Sequence, residues 1–251
     1  MIRVIVAIAA AALISTFLSP TVGLNETTLA TFIGFLIALV ITLMTFDLPG
    51  LLLRRRRVGE WGRFQVLPWA LVIAVLFVVV SRVGNLQPGY LYGLVLGLIF
   101  ARDVPAAEEG REAAYGAAWT LAVSVAAWLA LGWFRDQAPT MGNFEFTLAT
   151  TLLAAVIFNG MEAVAFGLMP FHFMPGWVVY RWNRPIWAVL FFLSGFAFFH
   201  ILIGPNSGYL ANLSGTALLA AFSVFLVFSV VTLGFWAYFR FRPARGESST
   251  D

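Results

Sequence analysis

Three polar side chains in or near the apolar stretches of this sequence are its first candidates for chemistry: Asn159, Glu162 and His200. Glu162 interrupts a long apolar run. An ionisable group at the centre of a bilayer costs at least about 2.5 kcal/mol to insert, so Glu162 is a candidate functional residue. Asn159 precedes it by three residues, which places both side chains on one face of a helix. The pair is therefore predicted to form a small polar spot between helices.

Glu162 has three interpretations. In the first, it pairs with an arginine such as Arg111, Arg181 or Arg184 and holds the helices together. In the second, it belongs to a proton-coupled or ion-coupled site, and in the third it packs as a neutral, protonated group. Glu162 lies about 16 residues into its helix, roughly 24 Å from the outer end at 1.5 Å per residue. The sequence thus predicts a position nearer the cytoplasmic face.

Catalytic chemistry has little support in this sequence. Glu108 and Glu109 are adjacent, as in intramembrane CAAX-protease-like enzymes, but the arginine that follows is not at the spacing of those enzymes, and a helix start explains the pair better. His200 is expected towards the membrane face opposite Glu162, so we expect no metal shared by the two. No Ser-His-Asp set, HExxH or nucleotide-binding fingerprint occurs, and there is no cysteine. We predict no catalytic residue, no metal and no cofactor.

The composition is that of a membrane protein. Hydrophobic residues make up 61% of the 251-residue chain and charged residues 11%, whereas roughly a quarter of a soluble domain is charged. Runs of about 18 apolar residues recur, each long enough to cross a bilayer as a helix. We predict an all-α, polytopic transmembrane bundle of about eight helices in one domain, residues 1–245, with a disordered tail at 246–251. The predicted spans are 2–18, 28–46, 66–81, 88–101, 115–134, 144–169, 186–203 and 213–238.

The arginines predict the orientation of this bundle. The chain has no lysine, and with both termini in the cytoplasm every arginine except Arg82 and Arg135 falls on the cytoplasmic side. A re-entrant fourth segment is the alternative, because about 14 residues reach only about 20 Å, but it would destroy this asymmetry. The basic side is predicted to meet anionic lipid headgroups, and no basic stripe suggests nucleic acid. The predicted basic face comprises Arg54, Arg55, Arg56, Arg57, Arg181 and Arg184.

Two further features concern the first and fourth spans. The first is predicted to be a retained span and not a signal peptide, since no typical cleavage site precedes Pro20. Gly89, Gly93 and Gly97 recur at four-residue spacing in the fourth, which predicts a helix face that lets another backbone approach closely. That face serves either packing within the bundle or dimerisation.

Phe166 to Pro170 read FGLMP, and the segment resembles the motif of actinobacterial membrane proteins named for FGLLP. QPGYLYGL at 87–94, EEGR at 108–111 and the segments 182–184 and 205–209 support the resemblance, which covers about half of the chain. Met169 departs from the name, which has a second leucine there. The resemblance implies a multi-pass module without an established activity, so it assigns no catalytic residue.

The leading hypothesis for function is a non-enzymatic integral membrane module in a bacterial cytoplasmic membrane, acting as an anchor, a scaffold or a subunit of a complex. Its expected partners are a protein or a second copy of the chain. A transporter or channel for a small or lipophilic solute is the first alternative, with Asn159 and Glu162 lining the path. An intramembrane hydrolase using Glu108, Glu109 and His200 is the second.

Overall fold

The computed structural model describes residues 2–17, 22–59, 63–66, 71–72, 74–76, 78–79, 96–99, 104–137, 141–172 and 174–203. Within these ranges the chain is mainly helical, with one pair of short strands. In chain order the elements are α1 (Ile2–Thr16), α2 (Glu26–Val58), β1 (Arg63–Val66), β2 (Leu96–Ile99), α3 (Ala106–Asp136), α4 (Asn143–Gly167), α5 (Pro175–Trp182) and α6 (Arg184–Ala197), which continues as a π-helical segment, Phe198–Ile203.

Four helical segments of the described chain are long and apolar enough to cross a membrane, namely Glu26–Arg56, Ala106–Asp136, Asn143–Gly167 and Arg184–Leu202. α1 is apolar but has only 15 residues, fewer than the roughly 20 that a bilayer requires. Large apolar side chains point outwards from these helices; Leu129 is 62% exposed and Phe192 70%. Such a surface fits lipid and not water, so the chain is a helical membrane protein.

The predicted end of the second span is wrong. The sequence predicts that this span ends at residue 46, but α2 continues through Pro49 to Val58. A helix tolerates proline in a membrane when its neighbours stabilise the interrupted turn. The helix ends at Gly59, whose φ of 70° is left-handed and whose N–H donates to Arg55 O at 3.1 Å. The four arginines at 54–57 therefore form its last turns, where cations favour the helix dipole, and not a loop.

The third and fourth predicted spans are only partly described. Residues 71–72, 74–76 and 78–79 are helical, as predicted. Residues 63–66 and 96–99 instead form the antiparallel pair β1–β2, with Val66 opposite Leu96 and Gly97 opposite Gln65, so the helix prediction is wrong for residues 66 and 96–99. Glycine weakens a helix, and apolar residues flank Gly97 in β2. Gly97 thus does not belong to a glycine face on a helix, and Gly89 and Gly93 lie outside the described residues.

The next three spans agree with their predicted positions. Residues 115–134 lie inside α3, residues 144–167 coincide with α4, and residues 186–203 coincide with α6 and the π-helical segment. α3 begins about two turns earlier than the predicted span, directly after Pro105, with Glu108 and Glu109 in its first turn. The eighth predicted span, 213–238, and the predicted tail, 246–251, lie outside the described residues.

One helix was not predicted. The segment between the sixth and seventh spans forms α5, eight residues that start with Pro175, a residue suited to a first helical turn. α6 follows after one residue, Asn183, whose side-chain oxygen accepts the N–H of Ile186 at 3.0 Å. Asn183 thus caps α6, and the two helices meet at a sharp corner.

Small residues allow the long helices to pack closely. Gly116 of α3 faces the carbonyl of Phe46 in α2, where a side chain would collide with the backbone, and Gly34 of α2 lies tightly against Thr151 of α4. α2 packs on both α3 and α4. Close approach of backbones through small residues is the usual basis of helix association in lipid, and it fixes the positions of the polar residues.

Candidate functional site

An ion pair joins α2 to α3 at one end of the bundle. Arg54 Nε donates to Glu112 Oε2 at 2.7 Å, and the two side chains are only 11% and 12% exposed. Arg54 was predicted as part of a basic face, but Glu112 was not singled out. The contact depends on α2 continuing past Pro49. Because the predicted helix ended at residue 46, the sequence did not predict this contact.

The exit of α4 at the FGLMP segment is fixed by two contacts. Leu168 is buried, and its carbonyl accepts Trp187 Nε1–H of α6 at 2.8 Å. Gly176 of α5 packs directly against the Leu168 backbone, where no side chain has room. α4 ends at Gly167, two residues before the predicted end of the sixth span, and Pro170 lies beyond it. The segment is a structural junction between α4, α5 and α6.

Aromatic rings and arginines lie side by side around this junction. Gly110 of α3 packs against Trp182 of α5. The guanidinium of Arg111 lies 5.7 Å from the Trp182 ring centroid, and that of Arg184 lies 5.1 Å from the ring of Tyr180. These distances are typical of cation–π contacts, and the mixture of tryptophan, tyrosine and arginine is typical of a membrane–water interface.

These contacts bring the end of α2, the start of α3, the exit of α4, all of α5 and the start of α6 to one end of the bundle. Arg135 lies at the opposite end of α3. We call the first end the arginine end. Its described arginine side chains are Arg54, Arg55, Arg56, Arg111, Arg181 and Arg184.

The depth of Glu162 in the bundle follows from the contact between α3 and α4; Glu162 itself lies five residues before α4 ends at Gly167. Gly160 packs against Thr120 and Ser124 near the middle of α3. α3 and α4 are antiparallel, since a short turn connects them, so Glu162 is level with about residue 120. Eight residues of helix rise separate that level from Glu112, roughly 12 Å at 1.5 Å per residue.

The predicted ion pair of Glu162 is not formed within the described residues. Arg111, Arg181 and Arg184 all lie at the arginine end, and none of them forms an ion pair with Glu162. An arginine side chain cannot reach across a 12 Å step along the bundle. Asn159 and Glu162 are both half-buried on α4, and Glu162 lacks the arginine that was expected to neutralise it among the described residues; the polar spot stays a prediction.

Two hydroxyl groups that were not predicted lie near the same level, on the face of α3 that packs against Gly160. Ser124 Oγ donates to Thr120 O at 2.8 Å, while Thr120 Oγ1 is buried and has no hydrogen-bond partner among the described residues. A signal for both was available in the sequence. Small residues recur every three or four positions along one face of α3, and the structure buries that face: Gly110, Ala114, Ala117, Thr120, Ser124 and Ala127.

His200 is remote from the other candidates. Its exposed ring stacks on Phe196 at 5.5 Å and meets Trp128 edge-on at 6.4 Å. Trp128 is 19 residues along α3 from Glu109, roughly 28 Å of helix. Catalytic partners must lie within hydrogen-bond reach or one water apart, so Glu108, Glu109 and His200 do not form a hydrolase site. The described chain also contains no cluster of three metal-ligating side chains.

Two cavities that are lined by described residues lie near the arginine end. One is an open groove of about 450 Å³ between α2 and α3; the other, beside Glu112, holds only about 10 Å³. Neither is lined by Asn159 or Glu162.

No protein-family model, curated protein or solved structure matches this chain.

Proposed function

We propose that this chain is a non-enzymatic integral membrane module of a bacterial cytoplasmic membrane, acting as an anchor, a scaffold or a subunit of a membrane complex. It crosses the membrane about eight times and keeps both termini in the cytoplasm. The arrangement of the described helices supports this topology, because their arginines gather at one end while Arg135 lies at the other.

The observation that carries the proposal is the close packing at the level of Glu162. A transporter needs a cavity or a polar path at its substrate site. Here Gly160 packs so closely on Ser124 that a methyl group at this position would fit only if the Ser124 hydroxyl moved, and Val156, Ile157 and Met161 are buried around it. A bundle that is closed beside its polar residues favours a structural role.

The arginine end is the proposed working surface. It faces the cytoplasm and the anionic headgroups of that leaflet, and it binds a protein partner or a second copy of the chain. Arg55 and Arg181 are exposed there. The resemblance of the FGLMP segment to the FGLLP-named actinobacterial proteins supports the same proposal, because it implies a multi-pass module without assigned chemistry.

Purification of the tagged full-length chain from bacterial membranes in a mild detergent tests the proposal. We expect a complex of defined stoichiometry, with a second protein or a second copy, by light scattering and mass spectrometry. Charge reversal at the arginine end, Arg55→Glu with Arg181→Glu, should reduce the yield of that complex several-fold. The matched control at the opposite end, Arg135→Glu, should leave it unchanged. A lone monomer that retains a small molecule beside Glu162 would refute the proposal.

Transport is the second candidate, because one observation favours it. Thr120 Oγ1 is a buried hydroxyl without a partner among the described residues, and Asn159 and Glu162 lie at nearly the same level. A solute or ion bound there would satisfy these groups. Reconstitution into proteoliposomes then gives a flux that Glu162→Gln abolishes, whereas the structural role predicts the same leak for both proteins.

A further inference from the structure

An open groove runs along the outer surface of the bundle between α2 and α3, near the arginine end. Its volume of about 450 Å³ falls within the range of roughly 300–1,000 Å³ that is usual for ligand sites. The proline inside α2 helps to form it, since Pro49 cannot donate the hydrogen bond of an interior helix turn. The described residues that line the groove are Pro49, Leu52, Leu53, Arg56, Tyr115, Ala118 and Trp119.

The lining combines an apolar floor with one charged end. Leu52 is exposed and Ala118 is half-buried, so both are available to an apolar ligand. Tyr115 and Trp119 are 54% and 53% exposed, and each has an apolar ring with a polar tip, as residues near lipid headgroups do. Arg56 lies on α2, one turn beyond Leu52, in the last turns of that helix.

Among the described residues that line the groove, Arg56 is the one cation, and no anionic side chain among them faces it. Its neighbour Arg54 is paired with Glu112, whereas Arg56 is exposed and forms no ion pair with the residues that the structure describes. The other six lining residues carry no charge. A ligand that fits this lining is apolar along most of its length and anionic at the end beside Arg56.

We propose that the groove binds one anionic phospholipid of the leaflet at the arginine end. Its phosphate-bearing headgroup meets Arg56, and an acyl chain lies against Leu52, Ala118 and Trp119. The groove faces outwards from helices that span the membrane, so a lipid reaches it from within its own leaflet. A guanidinium binds phosphate oxygens through paired hydrogen bonds, which gives the site its preference for an anionic headgroup.

This inference does not depend on the proposed scaffold role. It requires only that α2 and α3 cross the bilayer, so the site exists whether the chain assembles with a partner, transports a solute or does neither. A negative result in the complex-yield experiment therefore does not overturn the lipid site, and a negative result in the lipid experiment does not overturn the scaffold role.

Quenching of tryptophan fluorescence by brominated lipids tests the site on the full-length chain. The chain is reconstituted into vesicles of dioleoylphosphatidylcholine that contain increasing fractions of acyl-brominated phosphatidylglycerol or acyl-brominated phosphatidylcholine. Subtracting the curve of Trp119→Phe from that of the wild type isolates the quenching of Trp119. We expect the quenching of Trp119 to show an apparent affinity about fivefold higher for brominated phosphatidylglycerol than for brominated phosphatidylcholine. This ratio is equivalent to about 1 kcal/mol, the contribution of one arginine at an anionic surface.

Four variants separate a specific site from general attraction to a basic surface. Arg56→Gln should remove the preference, and Arg56→Lys should keep most of it. Ala118→Phe fills the groove and should reduce the quenching of Trp119 by both lipids. Arg55→Gln, the matched control, removes a neighbouring exposed arginine that does not line the groove and should leave the preference intact. Circular dichroism in the same vesicles checks that each variant is folded.

The possible outcomes decide the proposal. A preference that is lost in Arg56→Gln and kept in Arg55→Gln supports the site. Equal losses in both variants mean that only the surface potential attracts the lipid, and this overturns it. So does a wild-type chain whose Trp119 is quenched equally by the two brominated lipids, a comparison that needs no variant at position 56.

Discussion

The arginine end and the middle of the bundle differ in how far their polar groups are paired. At the arginine end, Arg54 is paired with Glu112 and the carbonyl of Leu168 accepts a hydrogen bond from Trp187. In the middle, the half-buried Glu162 has no ion pair among the described residues, and the buried hydroxyl of Thr120, near the same level, has no partner among them either.

The difference shows which interactions hold each region together. Near the interface, the long side chains of arginine, glutamate and tryptophan reach across helices and pair. Roughly 12 Å deeper, contacts rely on glycine, serine and alanine, because helices in lipid associate by close packing. We therefore expect substitutions that break pairing or block close approach to be costly, and the loss of the Glu162 charge to be mild.

Gly176→Ala should give the largest effect. The added methyl group would overlap the backbone of Leu168, which cannot rotate away as a side chain could. We expect a loss of about 3 kcal/mol or more in the free energy of unfolding, at the upper end of overpacking effects, measured by circular dichroism during titration with SDS. Gly167→Ala, at a glycine with open space around it, is the control and should cost much less. Equal effects would mean that the junction does not depend on close contact at Gly176.

Glu112→Gln should rank second. It leaves the guanidinium of Arg54 largely buried without its carboxylate, which should lower the free energy of unfolding by roughly 1–3 kcal/mol. The same SDS titration on Arg54→Gln and on the double variant completes a double-mutant cycle. The double variant should lose less than the sum of the single losses; strict additivity would show that the ion pair does not couple α2 to α3.

Trp187→Phe should have a smaller effect. It keeps a ring that can stack on Phe191, 5.3 Å away, but removes the hydrogen bond to Leu168 O. We expect a loss of about 1 kcal/mol. Trp133→Phe changes an exposed tryptophan near the other end of α3 and should be close to neutral. If both variants behave alike in the SDS titration, the bond to Leu168 does not stabilise the exit of α4.

Glu162→Gln should change stability least. No ion pair of the described chain is lost, so the free energy of unfolding should change by less than about 1 kcal/mol. The variant should also assemble like the wild type. A loss as large as that of Glu112→Gln would show that Glu162 is paired after all, and would remove the contrast between the two regions.

The sequence predicts most of the long helices, since apolar runs of bilayer length bounded by polar turns indicate membrane-spanning helices directly. Residues 144–167 and 186–203 follow the prediction closely for this reason. Pro49 misled the prediction, because local rules assign proline to a helix end, whereas tertiary contacts in the membrane carry α2 onwards to Val58. β1 and β2 pair residues 30 or more positions apart, which no local pattern reveals.

The candidate site is less predictable than the fold. The spacing of Asn159 and Glu162 places them on one helix face, but their depth depends on how α4 lies against α3, and only Gly160 packing on Ser124 fixes it. Glu112 is separated from Arg54 by 58 residues, so its role arises only in the folded chain. Depth and pairing partners are tertiary properties, and periodicity does not encode them.

Cysteine labelling tests most directly whether the bundle is closed beside its polar residues. The chain has no cysteine, so Asn159→Cys carries a single thiol at the level of Glu162, and Arg55→Cys serves as the exposed control at the arginine end. With a membrane-impermeant maleimide added to open membranes, so that both faces are accessible, we expect Arg55→Cys to be labelled and Asn159→Cys to remain unlabelled until SDS unfolds the protein. Rapid labelling of Asn159→Cys in the folded protein would reveal a water-filled path through the bundle and contradict the structural role proposed for this chain.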